Sequence, residues 1–454
     1  MIQEYLEEIK IFKMLKQKIE DIKKGKLKAI DNINNFVDKI MKNNNELNIV
    51  LHLNENAIEE AKKIDERIKA GNKVGKLAGL GFLVKSNINV EGMICNCGSL
   101  TLKNYKAGYN ATVITKLLAE DAIVLGMANM DEFACGSSGE TSAFGPSKNP
   151  RALDKIPGGR SSGSAAGVSA NFCDFSLGTD TGGSVRNPAS HCGVVGMKPS
   201  YGMISRYGLI DLSMSLDQIG VLSNNVQDCK LIFDIIKGKD KYDAISRDFI
   251  ERENKKISIG ILKMDADKKI WEKINYKLNK ICKIKKLKKD EITLNYVNLG
   301  IQTYYPIVYT EFFSGTRKFD GRKFGFKIEE SCGEEVLRRI LGGREITKSE
   351  YAGKYYRKAL SAKKIIAQEF EKAFAKNPFI ILPTVPMLPH KLGEKISFKD
   401  MYNYDTLSVL ANLAEIPAIS VPCGEIEGIP IGLQILSSKG NDDNLLKFAE
   451  EFDN

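Results

Sequence analysis

Histidine is nearly missing from this 454-residue chain, which has only His52, His191 and His390. Metal centres and Ser-His-Asp hydrolases both draw on histidine. Three scattered ones argue against a His-rich metal site and leave a histidine triad few candidates. The nine cysteines include no Cys-x-x-Cys pair, and Cys95 and Cys97 stand only two apart. That pattern argues against structural zinc and for free thiols in a cytoplasmic setting. No run of about 18 apolar residues occurs, so no membrane span is expected. The segment Met1 to Lys10 is acidic and helical in pattern and lacks an apolar h-region, so it does not read as a signal peptide. There is also no Gly-x-x-x-x-Gly-Lys-Ser/Thr loop and no Gly-x-Gly-x-x-Gly after a strand, so no ATP or dinucleotide loop is expected in this chain.

What remains is an ordinary globular composition, 43% apolar, with a net charge of +10. The charge leans mildly toward acidic partners, RNA included. Its one dense run, Lys283 to Lys289, reads as a solvated face. Residues 1–70 are rich in Lys and Glu with apolar residues at helical spacing. Ile9, Phe12 and Leu15 to Ile19 predict a first helix, and Ala57 to Ile68 another. From Gly75 the pattern changes. Leu77 to Val84 reads as a buried strand, Thr112 to Asp121 as a helix, and Ala122 to Gly126 as a strand. Residues 225–375 return to Lys-rich helices, and Phe379 to Pro383 and Ala418 to Pro422 read as strands. The alternation predicts one large α/β domain, a mixed central sheet covered by helices on both faces. Residues 1–70 form a helical segment packed on it, and 71–454 form the domain itself.

Two elements carry chemistry. The first is Pro157-Gly158-Gly159-Arg160-Ser161-Ser162-Gly163-Ser164-Ala165-Ala166, followed by Leu177-Gly178-Thr179-Asp180-Thr181-Gly182-Gly183-Ser184. Backbone amides around Gly182, Gly183 and Ser184 can form an anion-binding concavity, which beside a nucleophile acts as an oxyanion hole. The second is Lys85, which follows the apolar run ending at Val84. Burial lowers a lysine pKa, and a neutral lysine can serve a serine as base without histidine. Read alone, the glycine-rich stretch also fits a phosphate-binding loop, and Lys85 also fits a surface lysine.

These segments, continued by Arg186-Asn187-Pro188-Ala189 and Cys192 to Pro199, resemble the amidase signature family. Asn129 to Ala134, Ser142 to Pro146, Ser205 to Leu209, Ser215 to Gly220 and Pro417 to Gly424 are similar to its tRNA-dependent glutaminase members. The resemblance spans roughly residues 50–440. It implies a Ser-cisSer-Lys triad with Ser184 as nucleophile, Lys85 as base and the amides of Thr181, Gly182 and Gly183 as oxyanion hole. It implies that Arg339 and Asp405, helped by Tyr304, hold the α-carboxylate and α-ammonium of glutamine. It also implies partner B and C subunits, with tRNA, ATP and magnesium handled mainly by the partner and no cofactor in this chain. The competing readings are a free-standing amidase for other amides and a non-catalytic scaffold subunit.

One position departs from the family. Its relay serine lies 24 residues before the nucleophile, and here that position is Arg160. Arginine donates hydrogen bonds and does not accept them, so it cannot pass a proton. Either the site is impaired, or the neighbouring Ser161 replaces the relay, or the arginine is a sequence change. The small residues around Arg160 suggest that a serine there would leave the fold undisturbed.

Overall fold

The computed structural model describes residues 14–250 and 258–453. Ile9 and Phe12 lie outside them, as does Met1 to Lys10. Among the described residues eleven strands form one sheet in the order β1-β3-β2-β4-β6-β5-β10-β11-β9-β7-β8. Their ranges are β1 Val50–Leu53, β2 Gly81–Lys85, β3 Ile123–Ala128, β4 Phe175–Asp180, β5 Val195–Lys198 and β6 Gln218–Ser223. Then come β7 Ser258–Leu262, β8 Lys288–Ile292, β9 Phe379–Pro383, β10 Ala418–Ile426 and β11 Ile429–Ser437. The sheet is mixed: β2 runs parallel to β3 and β4, whereas β10 is antiparallel to both β5 and β11.

Helices cover both faces. On β2, Phe82 and Val84 enter an apolar layer shared with α4 (Thr112–Ala119) and α7 (Val226–Ile236). Leu83 enters the opposite layer, which holds Ile33, Phe36 and Ile40 of α2 (Ala29–Leu47). A strand buried on both faces reads as a continuous apolar run, which explains why β2 stands out in sequence. It starts later than the pattern suggests, because Gly79 at φ +77° and a Leu80-to-Leu77 hydrogen bond make residues 77–80 a turn. Helix α2 follows its apolar spacing and stops at Asn48, whose left-handed φ of 49° ends the helix. Before it, α1 spans Leu15–Lys23, and α3 (Ala57–Lys69) follows β1.

Three strands depart from the sequence reading. Val50–Leu53 was expected to lie within a helical segment, but it pairs antiparallel with β3, so the sheet begins inside residues 1–70. β7 and β8 fall in the stretch read as helical, and they pair in parallel. β8 is Lys-Lys-Asp-Glu-Ile with four exposed residues, so no alternation marks it. Charge on an outer strand discourages pairing with another chain. The Lys283 to Lys289 run is indeed solvated. It spans the end of α8 (Lys268–Lys285) and the start of β8. Three further helices matter for the site: α9 (Gly300–Thr316), with α10 (Glu334–Ile346) and α11 (Lys354–Phe374) packed on it. No helix of the described residues is long and apolar enough to cross a membrane. No group of three or more His, Cys, Asp or Glu among them could hold a metal ion.

Candidate active site

Parallel strands commonly place functional groups at their carboxyl ends. Lys85 is the last residue of β2, and Asp180 the last of the neighbouring β4. Ser184 follows in the loop between β4 and helix α6 (Arg186–Cys192), after α5 (Ser162–Ser169) has packed behind β4. The whole of α5 is buried. It reaches this depth because Gly163 has no side chain: a Cβ there would sit 2.6 Å from the Asn129 nitrogen.

The loop carrying Ser184 is pinned at successive residues. Thr181 Oγ1 donates to Asp217 (2.6 Å), Ser408 Oγ donates to the Gly182 carbonyl (2.7 Å), and the Gly183 amide donates to Asp180 Oδ1 (2.9 Å). Gly183 sits at φ +125°, where a Cβ would lie 2.1 Å from Ser408 Oγ, so only glycine fits. Of the three amides expected to form an oxyanion hole, that of Gly183 is therefore engaged by Asp180. Those of Thr181 and Gly182 donate to no other atom among the described residues.

Lys85 is fully buried. Its Nζ donates to Thr179 Oγ1 at 2.7 Å and lies 3.4 Å from the Thr179 carbonyl oxygen. Burial, and secondly the Arg160 cation, lower its pKa to about 7, while Asp131, Asp180 and Asp217 oppose them. Ser184 Oγ takes its hydrogen bond not from lysine but from Arg160 Nη1, at 3.0 Å. Ser161 is close by and yet does not bridge the two. Its hydroxyl donates to the Thr179 carbonyl (3.1 Å) and accepts from the Thr179 amide (3.2 Å).

Arg160 follows a cis Gly159–Arg160 peptide and is completely buried. Besides Ser184, its guanidinium grips Asp405: Nη1 reaches Oδ1 at 3.3 Å, and Nη2 donates to Oδ2. Asn187 Nδ2 donates to the same Oδ1 (3.1 Å). Burial pushes the Asp405 carboxyl up, and Arg160 pulls against that rise. Arg339, on α10, is also fully buried. Its Nε donates to Glu335 at 2.8 Å, but Nη1 and Nη2 make no hydrogen bond among the described residues. The hydroxyl of Tyr304, on α9, is equally unmatched, and burial keeps it a neutral phenol. The structure thus joins Arg160, Ser184 and Asp405 by hydrogen bonds, sets Lys85 and Ser161 on Thr179, and places Tyr304 against Gly182, with Asp405 paired to Arg160.

Sequence reasoning missed the frame around these groups. Asp180 accepts from the Gly183 and Val185 amides and forms a doubly hydrogen-bonded ion pair with Arg186. Burial raises its pKa, but the Arg186 charge and hydrogen bonds more than reverse this, and the carboxyl stays well below the usual range. Arg186 continues to the Ser408 carbonyl and Asn412, and also to Gln434. The available signal was an acid and a base six residues apart flanking a glycine loop inside apolar sequence. Asp180→Ala leaves Arg186 charged and unpaired in the interior. A loss of about 3–5 kcal/mol is expected in chemical unfolding, and Arg186→Met in the same chain should recover part of it. A single-variant loss under 1 kcal/mol, on the scale of an exposed pair, would show that the pair does not hold the loop.

A serine in a pinned glycine loop, with a buried, depressed lysine one strand away, is the make-up of a serine–lysine acyl-transfer enzyme on an α/β sheet. A family model described as Amidase matches residues 31–446, and the chain belongs to that family. The A subunit of glutamyl-tRNA(Gln) amidotransferase from Methanocaldococcus jannaschii is 50% identical over 431 residues, covering 93% of this chain and 99% of the relative. That of Methanobrevibacter smithii is 49% identical over 451 residues, covering 96% and 99%. Among solved structures, the A subunit of the Thermotoga maritima glutamyl-tRNA(Gln) amidotransferase superposes with a TM-score of 0.79 at 34% identity, over 92% of this chain and 90% of that one.

Proposed function

We propose that this chain is the glutamine-hydrolysing component of a tRNA-dependent amidotransferase, supplying ammonia for conversion of Glu-tRNA(Gln) to Gln-tRNA(Gln). The observation that carries the reading is Lys85 at the carboxyl end of β2 with Ser184 in the loop that follows β4, in a chain 50% identical to an A subunit of glutamyl-tRNA(Gln) amidotransferase. Neutral Lys85 is the base that finally takes the Ser184 proton, a transfer that Arg160, a donor only, slows in this chain. Ser184 Oγ then bonds to the side-chain amide carbon of glutamine, and the carbonyl oxygen draws charge toward the amides of Thr181 and Gly182. The proton passes to the departing nitrogen, which leaves as ammonia. Water hydrolyses the ester to glutamate and restores Ser184. Arg339 binds the α-carboxylate, and Asp405 is the carboxylate for the α-ammonium. The partner B and C subunits, the tRNA contacts made mainly through a partner, the ATP and magnesium bound there, and the cytoplasmic location all belong to this proposal.

A free-standing amidase for apolar amides is disfavoured by Arg339, whose two unmatched donors ask for an anion. A scaffold role with weak hydrolysis is favoured by one observation, the Arg160 guanidinium on both Ser184 and Asp405. The assignment of Ser184 is tested by trapping with an electrophilic glutamine analogue and mapping the adduct by mass spectrometry, in the unaltered chain and in Arg160→Ser. The expected adduct is on Ser184, in higher yield in the variant. An adduct on Ser161 or on a cysteine refutes the assignment.

A further inference from the structure

The two charges expected to hold an α-amino acid are in unlike states. Asp405 is complete, with Arg160 Nη1 and Nη2 and Asn187 Nδ2 already on it. Arg339 is incomplete. Two of its N–H-bearing nitrogens and the Tyr304 hydroxyl are buried without partners among the described residues. The two charges lie on either side of Tyr304: a Cβ on Gly182, beside Ser184, would meet its hydroxyl at 2.7 Å, its ring packs on Tyr305 at 5.1 Å, and the Arg339 guanidinium lies over Tyr305 at 5.7 Å. A buried guanidinium edge left unmatched is costly, and a carboxylate completes it with two parallel hydrogen bonds. The Arg160 cation, meanwhile, holds the carboxylate that an incoming ammonium needs.

We propose that Arg160 is a built-in occupant of the ammonium subsite. The unaltered chain therefore selects small carboxylates that lack an α-ammonium over glutamine. This rests on the reading of Arg339 and Asp405 given above. A monocarboxylate satisfies Arg339 and Tyr304 and leaves the Arg160–Asp405 pair intact. Glutamine brings a second charge. Its ammonium meets a guanidinium of the same sign and gains Asp405 only by breaking a buried, bidentate ion pair. Like charge set against one ligand and not the other is how a site discriminates between them.

Glutaramate, which is glutamine without its α-amino group, is the probe. Titration calorimetry of the full chain at fixed pH compares glutaramate with glutamine. Glutaramate is expected to bind the unaltered chain tighter by roughly tenfold or more, the scale of one hydrogen bond to a charged group. In Arg160→Ser glutamine should gain by a similar factor and become the preferred ligand. Arg339→Ala should lose glutaramate. Equal or tighter binding of glutamine by the unaltered chain overturns the proposal, and so does glutaramate binding that survives Arg339→Ala. A third contrary result is an unaltered chain that binds neither ligand while Arg160→Ser binds both, since Arg160 would then shut the whole site. Should Arg160→Ser bind no glutamine while the unaltered chain still takes glutaramate, the glutamine assignment fails and the carboxylate site stands. The first comparison needs no variant, so it decides the matter even if Arg160→Ser folds poorly.

Discussion

Replacing Arg160 by serine is expected to raise glutamine hydrolysis by about 10²-fold or more, on the scale of one restored general acid–base contribution. The argument starts from the lone pairs of Ser184 Oγ. Arg160 Nη1 donates to that oxygen at 3.0 Å, which occupies electron density the nucleophile needs and offers no acceptor for its proton. Lys85, the available base, spends its closest hydrogen bond on Thr179 Oγ1 and makes none to Ser184. Ser161 is tied on both sides to the Thr179 backbone, so it does not bridge the two. A serine at 160 supplies a hydroxyl that both donates and accepts, and it vacates Asp405. The sequence suggested that the exchange would leave the fold undisturbed, but the ion pair contradicts that. Asp405 loses its cation in a fully buried place, and breaking such a pair costs about 3–5 kcal/mol before water enters. Arg160→Ser should therefore melt lower than the unaltered chain, and glutamine should recover part of the loss by binding only the folded form. Ammonia release at saturating glutamine is the measurement. Arg160→Lys, which keeps a cation and restores no acceptor, should stay slow. An unaltered chain that already turns over as fast as Arg160→Ser would show that the relay runs through another group.

The parts of this site that were legible in sequence are those fixed by local pattern. β2 is buried on both faces, so its apolar run is continuous and marks Lys85 as the residue that ends it. Gly178, Gly182 and Gly183 show as a cluster because the chain passes close to Ser161, Tyr304 and Ser408 in turn, where a Cβ would collide. Counting 24 residues back from Ser184 finds Arg160, and the structure confirms that the two touch. What the count could not show is where the guanidinium goes, since Asp405 lies 245 residues away in sequence. The same distance in chain hides the role of Asn412 and Gln434 around Arg186, each more than 220 residues from it. Strands at the edges were missed for a different reason. β1 has four residues, too few for a period to declare itself, and β8 faces solvent, so nothing requires apolar residues there.

Lys85→Ala, made in the Arg160→Ser chain, is expected to remove about 10²–10⁴-fold of the rate, the contribution of a positioned general base. The pH dependence says more than the loss alone. Only neutral lysine accepts a proton, so the rate should rise with pH through the Lys85 pKa and level off above it. In the unaltered chain burial, and secondly the Arg160 charge, hold that pKa at about 7, so the rise centres near neutrality. Arg160→Ser removes the second of these while Asp131, Asp180 and Asp217 go on favouring the ammonium form. The inflection should therefore move to higher pH in the faster variant. Part of the gain at pH 7 is then masked, and the full effect appears only in alkaline buffer. Lys85→Arg should not rescue Lys85→Ala, because a guanidinium keeps its proton throughout this range. Initial rates of ammonia release across the pH range, measured at saturating glutamine, separate the possibilities. An inflection that stays in place when Arg160 is removed would mean that the titrating group is not beside Arg160, and Lys85 would lose its claim as the base.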